Sequence, residues 1–411
     1  MAIDLFAGAG GMSLGFEQAG FRVAAAVEID PIHAAVHAYN FPGTVVIPRS
    51  AALLSGGEIR ARAGIGDTPV DCVFGGPPCQ GFSMMGQRAL DDPRNGLVSE
   101  FVRLVVELGA RRFVFENVKG LAQGKHRAFL EELVSTFRAS GYEVQLPWRL
   151  VDAADLGVPQ RRERVILMGG RDGVPDYPEP LASQPPGQGR AGTVSSGEAL
   201  ADIPDCERFE ALWTSDRVRA SLGVPSAYAA MLRDDPLRDW DDRWLSNGGR
   251  SRHTAVSRAR FRDTPQGAVE PVSRFFKLHP DRPCNTLRAG TDGGRGAFTS
   301  PRPIHYAFDR CVTVREMARL HGYPDWFRFH VTTWHGAREV GNSVPPPMAR
   351  AIAREVARSL GYTPGLLRRV PLGDPALLEF DRLGAARFFD VEPLAWKRAS
   401  LSPLVTAPTR G

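Results

Sequence analysis

The stretch VDCVFGGPPCQGFS, residues 70–83, joins a short apolar segment to a stiff turn and a cysteine. Residues 70–74 are mostly apolar with two β-branched valines, which predicts a buried β-strand. Gly75 and Gly76 permit a sharp exit from that strand, and the two prolines that follow fix φ. Cys79 is therefore predicted at the carboxyl end of a strand, where open α/β sheets bind ligands. A buried cysteine of the core is the alternative. The rigid turn before Cys79 nevertheless favours a thiolate nucleophile, because the attack angle of such a group must be fixed.

Size and composition favour a globular protein of two domains, or of one large domain with an insertion, at 411 residues and 43% hydrophobic content. No apolar run reaches 18 residues and the first residues lack a signal-peptide pattern, so no membrane span or export is expected. Five cysteines without a Cys-x-x-Cys pair argue against disulfides or zinc and predict a cytoplasmic protein without a metal. A net charge of +5 is compatible with a polyanionic partner, although genomic base composition explains the excess of arginine equally well.

The amino-terminal segment predicts a ligand site formed by the backbone amides of a glycine-rich turn and by one acidic side chain. A strand over Ile3–Phe6 runs into a glycine-rich turn and a helix that Gly20 closes, an arrangement that brings backbone amides close to a nucleotide-like ligand. The second strand, Val23–Val27, ends at Glu28-Ile29-Asp30. An acid in that position holds ribose hydroxyls in this architecture, and a solvated strand-end acid is the alternative.

Two further charged groups adjoin predicted strands. A strand over Arg112–Phe115 delivers Glu116 at its carboxyl end, where partial desolvation would raise the carboxyl pKa; a generic strand-end acid is the alternative. The run QRRER, residues 160–164, precedes an apolar strand over Val165–Met168. Taken alone, such a run indicates a solvated edge.

The remaining predicted elements are a third strand over 44–47, a strand over 144–151, helices over 31–39, 97–107, 130–138 and 348–360, and a loop over 80–96 that could act as a lid.

The composition changes after Gly170, where proline-rich and glycine-rich segments read as linkers. Residues from there to about 333 lack a βαβ rhythm and interleave arginines with tryptophan and phenylalanine, a combination that suits a nucleic-acid-binding face, although several rings must be core. The chain then returns through GNSVPP, residues 341–346, to a final helix. The tail from Gly361 has no interpretable motif.

Several motifs, in one order along the chain, resemble those of the DNA cytosine-5 methyltransferases. The segment PPCQGFS at 77–83 resembles the family's catalytic motif, and ENV at 116–118 and QRRER at 160–164 resemble two further motifs around the target base. DLFAGAGG at 4–11, with Glu-x-Asp at 28–30, resembles the S-adenosylmethionine-binding motifs. RPCNTL at 282–287 and TVREMARLHGYP at 313–324 resemble the motif that organises target recognition, and GNSVPP is similar to the last motif.

The resemblance implies an α/β, Rossmann-like S-adenosylmethionine-dependent methyltransferase domain with a smaller, irregular target-recognition domain. The implied limits are 1–180 for the catalytic domain, 181–333 for DNA recognition and 334–411 for a return segment plus tail. The implied cofactor is S-adenosyl-L-methionine, with contacts from Phe6, Ala7, Gly8, Gly10, Glu28, Ile29, Ser50, Pro78, Asn342, Ser343 and Val344. Ser50 stands where the family usually has the aspartate of a Gly-Asp-Ile-like motif, so the adenine contact is expected to be weaker. A different placement of the third strand, with a nearby acid such as Glu58 or Asp67 in this role, is the alternative.

The implied reaction is methyl transfer to C5 of a flipped-out cytosine in double-stranded DNA. The implied catalytic residues are Cys79, which bonds to cytosine C6, with Glu116, Arg162 and Arg164; Glu116 engages N3 and the exocyclic amine, and Arg164 engages O2. Gln80, Ser83, Arg161 and Arg162 are the implied DNA contacts. A monomer, cytoplasmic and on the nucleoid when DNA-bound, is expected, with a cognate restriction endonuclease as a further partner. A transfer-RNA cytosine-5 methyltransferase and a non-catalytic DNA-binding relative are the alternatives, which the long recognition segment and the intact catalytic motifs respectively disfavour.

Overall fold

The computed structural model describes residues 1–78, 96–181, 193–291, 299–362 and 369–393. Its central sheet has eight strands: β1 (Ala2–Leu5), β2 (Val23–Val27), β3 (Val45–Ile47), β4 (Cys72–Gly75), β5 (Arg112–Val118), β6 (Glu143–Val144), β7 (Arg149–Asp152) and β8 (Glu163–Gly170). Seven of them lie in the order β3-β2-β1-β4-β5-β8-β6, with β7 also paired to β8. Strands β1 to β5 are parallel, whereas β8 runs antiparallel to β5, β6 and β7. The predicted α/β fold is confirmed.

The strand order reverses between β1 and β4, which lie side by side although the chain visits β2 and β3 between them. The carboxyl ends of neighbouring strands at such a switch point leave a crevice that binds ligands. Leu5 is paired with Gly75 at this edge. The glycine turn after β1 and the Pro77–Pro78 segment after β4 therefore emerge side by side.

Helices cover both faces of the sheet. One face packs against α1 (Gly11–Gln18) and α11 (Pro346–Ser359), whose Phe16, Met348 and Ile352 are buried with Phe74 of β4. The other face packs against α3 (Gly56–Ala63), α4 (Gly96–Glu107) and α5 (Arg127–Ala139). Helix α2 (Pro31–Asn40) begins at the end of β2, where the Asp30 side chain caps it by accepting from the Ile32 N–H. No helix in the described ranges is both long and apolar enough to cross a membrane.

The predicted recognition region, residues 181–333, contains short elements joined by irregular chain. They are α6 (Ser196–Leu200), β9 (Val218–Arg219), α7 (Ala227–Arg233), β10 (Arg238–Asp239), β11 (Trp244–Leu245), α8 (Ala255–Asp263) and α9 (Val314–His321). Most of their buried apolar residues form one cluster with Val36 and Tyr39 of α2 and Val340 of α10 (Thr333–Asn342), whereas Phe261 of α8 lies in a separate small cluster with Ile304 and Cys311. This region therefore has a core that it shares with the catalytic part of the chain, and the limits 181 and 333 stay predictions.

Two sequence expectations differ from the structure. The single strand predicted over Val144–Val151 is wrong, because the chain forms the separate short strands β6 and β7 on either side of Pro147, which has no N–H to donate to a ladder. The strand predicted to end at Phe115 continues to Val118, so Glu116 and Asn117 lie on β5 itself.

The carboxyl-terminal segment 369–393, for which the sequence offered no motif, is folded onto both the catalytic part and the predicted recognition region. Its strand β12 (Val370–Pro371) pairs with β10, and α12 (Arg382–Phe388) packs against α2. Leu378 is fully buried in the cluster that contains Tyr39. Backbone hydrogen bonds join Gly373 N–H to Tyr39 O over 2.8 Å and Val331 N–H to Leu378 O over 3.1 Å.

Candidate active site

A cavity of about 720 Å³ opens at the switch point and joins residues from both ends of the sequence. The predicted residues that line it are Phe6, Ala7, Gly8, Glu28, Ile29, Ser50, Pro78, Glu116, Arg162, Arg164, Asn342, Ser343 and Val344. The structure thus places every predicted cofactor residue except Gly10 in one wall with the predicted catalytic glutamate and arginines.

The turn after β1 adopts a conformation that few sequences tolerate. Phe6 has φ of +63°, and Gly8 and Gly10 have φ of +54° and +100°. A Cβ on Gly10 would overlap the ring of Phe41, so Gly10 supports the turn from behind. A bulky residue in the left-handed region costs energy and marks functional sites. The turn exposes backbone to the cavity, as the sequence predicted.

Glu28 is oriented by the glycine turn itself. Its Oε2 accepts from the Gly8 N–H and its Oε1 from the Asp30 N–H, both over 2.8 Å. Burial raises the pKa of this carboxyl, against the opposing effect of nearby His33. A fixed, poorly hydrated carboxylate is suited to bind a pair of vicinal hydroxyls.

A second buried acid in this wall was missed by the sequence reasoning. Asp4, on β1, lines the cavity, and its Oδ2 accepts from the Ser13 hydroxyl over 2.7 Å. Burial raises the pKa of Asp4 to about 8. His37 Nε2 lies 3.1 Å from the same hydroxyl, and burial lowers the pKa of His37 to about 3. The signal available in the sequence was a charged residue inside an otherwise apolar strand.

Glu116 and Arg164 form an ion pair in the cavity wall. Arg164 Nε lies 2.9 Å from Glu116 Oε1, and only 13% and 11% of the two side chains are exposed. Burial raises the pKa of the Glu116 carboxyl, whereas the charges of Arg164 and Arg162 lower it. Gly76 lies directly against this carboxyl, because a Cβ there would stand 2.5 Å from Glu116 Oε2. The Glu116 carboxyl is thus held in one position, and its raised pKa favours the protonated form.

Arg162 faces inward, away from the open part of the cavity. Its Nη1 donates to Leu287 O over 3.1 Å and its Nη2 donates to Gly341 O and Ser343 O over 2.9 Å each. The side chain is buried, which lowers the pKa of its guanidinium to about 9. Since these carbonyls occupy its terminal nitrogens, the geometry favours a positioning role for Arg162 over the base and phosphate contacts that the sequence predicted.

The other members of the QRRER run differ in their surroundings. Gln160 is buried, accepts from the Leu287 N–H over 3.0 Å and contacts His321 Nδ1 over 2.8 Å, so it joins both recognition-region motifs to the catalytic part. This structural role was not predicted. Arg161 is 55% exposed and pairs with Asp152 over 3.0 Å. Its contact with DNA stays a prediction.

The predicted nucleophile, Cys79, and the predicted DNA contacts Gln80 and Ser83 lie outside the described residues. The preceding segment is held next to the Glu116–Arg164 ion pair. Asn117, the residue after Glu116, donates from Nδ2 to Pro77 O over 3.0 Å. The four described cysteines are buried, and burial raises the pKa of each thiol, to about 12 for Cys206 and about 11 for Cys311. Within the described ranges, no group of His, Cys, Asp and Glu has the geometry to hold a metal ion.

Ser50 lies in the cavity wall, and its predicted contact with adenine stays a prediction. It follows β3, lines the cavity and caps a short helical turn over Ala51–Leu53 by accepting from the Ala52 N–H over 3.4 Å. An aspartate can make the same cap, so the fold explains how either residue fits here.

Comparison with known proteins agrees with this arrangement. The family model for C-5 cytosine-specific DNA methylase matches residues 1–358. The chain belongs to this family. The type II methyltransferase M.XorII of Xanthomonas oryzae pv. oryzae is 51% identical over 100% of this chain and 97% of its own length. The type II methyltransferase M1.HphI of Haemophilus parahaemolyticus is 34% identical over 87% of this chain and 86% of its own.

Among solved structures, a protein described as a candidate DNA modification methyltransferase of an E. coli prophage matches with a TM-score of 0.74 and 32% identity, over 88% of this chain and 99% of that one. The Dnmt2 methyltransferase of S. pombe matches with a TM-score of 0.54 and 16% identity, over 88% and 99%, and shares the fold. The predicted family and activity are confirmed: this C-5 cytosine-specific methylase is a DNA (cytosine-5-)-methyltransferase of the type II modification class. Members of the family take their methyl group from S-adenosylmethionine.

Proposed function

We propose that this methylase transfers the methyl group of S-adenosyl-L-methionine to C5 of a flipped-out cytosine within a specific double-stranded DNA sequence, through a covalent Cys79–C6 bond. The observation that carries the proposal is that one cavity contains both predicted sites. Glu28, of the predicted cofactor site, and the Glu116–Arg164 ion pair, of the predicted base site, line the same cavity. A methyl donor and a base that occupied the two ends would meet in the middle.

The cavity residues fit the donor in size and chemistry. A volume of about 720 Å³ falls within the range of cofactor sites. The fixed carboxylate of Glu28 would hold the ribose hydroxyls, Ser50 the adenine amine, and the segment Asn342–Val344 the methionine end. When bound, the donor supplies an electrophilic methyl group on a sulfonium sulfur.

The chemistry at the base then follows from the remaining residues. Cytosine C5 is a poor nucleophile, and addition of the Cys79 thiolate to C6 gives C5 the electron density of an enamine. Glu116, with its raised pKa, would share a proton with N3, and Arg164 would stabilise charge at O2. After C5 takes up the methyl group, a base removes the C5 proton and the thiolate departs, which restores the ring.

The target base can reach these groups only outside the duplex. Flipping it costs a few kcal/mol, which contacts from the region 181–333 would offset. In this proposal the methylase acts as a monomer on chromosomal DNA in the cytoplasm, and it protects sites that a cognate restriction endonuclease would cut.

The test is covalent capture combined with mapping of product. Purified protein is incubated with S-adenosylmethionine and with DNA from a methylation-deficient host, grown so that part of its cytosine is 5-fluorocytosine. We expect a denaturation-resistant protein–DNA adduct from the wild type and from Cys206→Ala, and no adduct from Cys79→Ser. An adduct formed equally by Cys79→Ser would refute the assignment. Transfer RNA methylated in preference to DNA would instead support the RNA alternative.

A further inference from the structure

A second cavity, of about 460 Å³, adjoins the catalytic cavity on the side of the recognition region. Arg162, Arg164 and Asn342 are among the residues that line both. Its described lining contains three arginines and no carboxylate; the residues are Arg162, Arg164, Leu287, Arg288, Ala289, Gly290, Thr291, Thr299, Pro301, Gly341 and Asn342. The catalytic cavity differs, since its wall includes five acids, namely Asp4, Glu28, Asp30, Glu116 and Glu339.

The three arginines are not equally available to a ligand. Arg162 donates to three backbone carbonyls, and Arg164 pairs with Glu116 and donates to Glu163 O. Arg288 is exposed, and no described residue forms a hydrogen bond or ion pair with its guanidinium. Among the described lining residues, the arginine whose charge is available to a ligand is therefore Arg288.

The backbone that carries Arg288 is fixed on both sides. The neighbouring Leu287 donates its N–H to Gln160 Oε1 and accepts from Arg162 Nη1. Gly341 packs so closely that a Cβ there would overlap the Arg288–Ala289 peptide. A side chain on so rigid a base loses less freedom when it binds, which makes an arginine there effective for recognition.

We propose that this cavity is an anion site for a phosphodiester of the DNA strand that carries the target cytosine, and that Arg288 binds that phosphate. The inference rests on the proposed function. A cytosine held between Glu116 and Cys79 must keep its own sugar and phosphates beside the catalytic cavity, and the second cavity, whose described lining has no carboxylate, lies there. Arginine binds phosphate through two parallel charge-assisted hydrogen bonds, so Arg288 would position the flipped nucleotide without taking part in the chemistry.

The test compares Arg288→Gln and Arg288→Lys with Arg138→Gln, which removes the same charge from the exposed surface of α5. Sheared genomic DNA from a methylation-deficient host is the substrate, and KM is measured separately for DNA and for S-adenosylmethionine. For Arg288→Gln we expect KM for DNA to rise about tenfold, the effect of losing one charge-assisted contact, with KM for the methyl donor unchanged. Arg288→Lys should recover part of that loss, because lysine keeps the charge but not the paired hydrogen bonds.

Equilibrium binding of the same DNA at several salt concentrations gives a readout that is independent of turnover. Loss of one phosphate contact should reduce the slope of log K against log salt by about 0.9 for Arg288→Gln, with Arg288→Lys close to the wild type. A slope and a KM for DNA equal to those of Arg138→Gln would overturn the proposal. So would a rise in KM for S-adenosylmethionine alone, which would place the donor's carboxylate in this cavity. If the wild type binds DNA with the expected salt slope relative to Arg288→Gln but methylates no DNA, the proposed function is refuted and the anion site is retained.

Discussion

The ion pair between Arg164 Nε and Glu116 Oε1, 2.9 Å apart, follows from the antiparallel pairing of β8 with β5. Because β8 runs opposite to β5, its amino-terminal end meets the carboxyl end of β5, and Arg164 lies opposite Val118. Glu116, two residues before Val118, has its side chain on the same face. A charged run before one strand and an acid at the end of another are thereby brought to the same edge of the sheet.

The first prediction concerns the pH dependence of catalysis. Burial raises the pKa of Glu116, so the protonated form persists above the ordinary carboxyl range and is lost as pH rises. If the protonated form is the active one, kcat/KM should fall along an alkaline limb that reports this group. Glu116→Gln cannot titrate, so we expect turnover reduced by roughly 100-fold or more and no such limb. Wild-type turnover in the glutamine variant between pH 6 and pH 9 would contradict the role.

Gly76→Ala should displace the carboxyl group of Glu116. The new Cβ would stand 2.5 Å from Glu116 Oε2, so the carboxyl must move away from its place beside Arg164. Displacement of a catalytic group by about 1 Å can cost about 100-fold in rate, and we expect a loss of that size in kcat with little change in DNA affinity. Gly120→Ala, at a position with open space around it, is the matched control. Equal kcat for the two variants would rule out the contact.

Asp4 should make the folded protein less stable as pH rises. Its pKa is about 8 in the folded state against an ordinary value of 3.8, so the folded state holds a proton that the unfolded state has lost between these pH values. Stability should fall across that window by up to about 1.4 kcal/mol per pH unit. Asp4→Asn keeps an acceptor for the Ser13 hydroxyl and should flatten the profile, whereas the exposed Asp67→Asn should not. Urea unfolding at pH 5 and pH 8.5 measures the difference, and parallel profiles for all three proteins would contradict it.

Ser50→Asp should tighten the binding of S-adenosylmethionine. A charged acceptor contributes roughly 1 kcal/mol more than a neutral hydroxyl, which corresponds to a several-fold lower Kd. Calorimetric titration decides the point, with Ser55→Asp as the control, because Ser55 also caps a helix but lies outside the cavity. No gain for Ser50→Asp would mean that Ser50 is not the adenine contact.

Exchange of residues 181–300 for the matching segment of M1.HphI should transfer the methylated DNA site. Among its contacts with the catalytic part are the hydrogen bonds that Gln160 and Arg162 form with backbone groups of Leu287, which do not depend on side-chain identity there. Bisulfite sequencing of DNA from a host that expresses the chimera identifies the site. An active chimera that keeps the original site would place specificity elsewhere.

Much of the site could be predicted because it lies where buried strands end. The apolar run before Glu28 marks the end of β2, and the run before Glu116 leads to within two residues of the end of β5; neighbouring parallel strands carry their ends to one edge. The position of Ser50 was predicted for the same reason. Local pattern was sufficient for these residues, since strand direction and sheet topology determine where each side chain emerges.

The direction of Arg162 could not be predicted in this way. The carbonyls that it binds belong to Leu287, Gly341 and Ser343, the nearest of them 125 residues along the chain. No periodicity within QRRER separates an arginine that faces these carbonyls from one that faces solvent. Asp4 was missed for a related reason, because its significance comes from burial, which only the assembled cavity reveals.

The segment 369–393 has a practical consequence for anyone who wishes to shorten this enzyme. The family match ends at residue 358, which on that ground alone is the obvious place to cut. A protein cut there would leave the Tyr39 and Val331 backbone groups without Gly373 and Leu378, and would uncover the apolar side of α2. A minimal methylase therefore needs polar replacements on that side of α2, and an affinity tag or fused protein is better attached after residue 393.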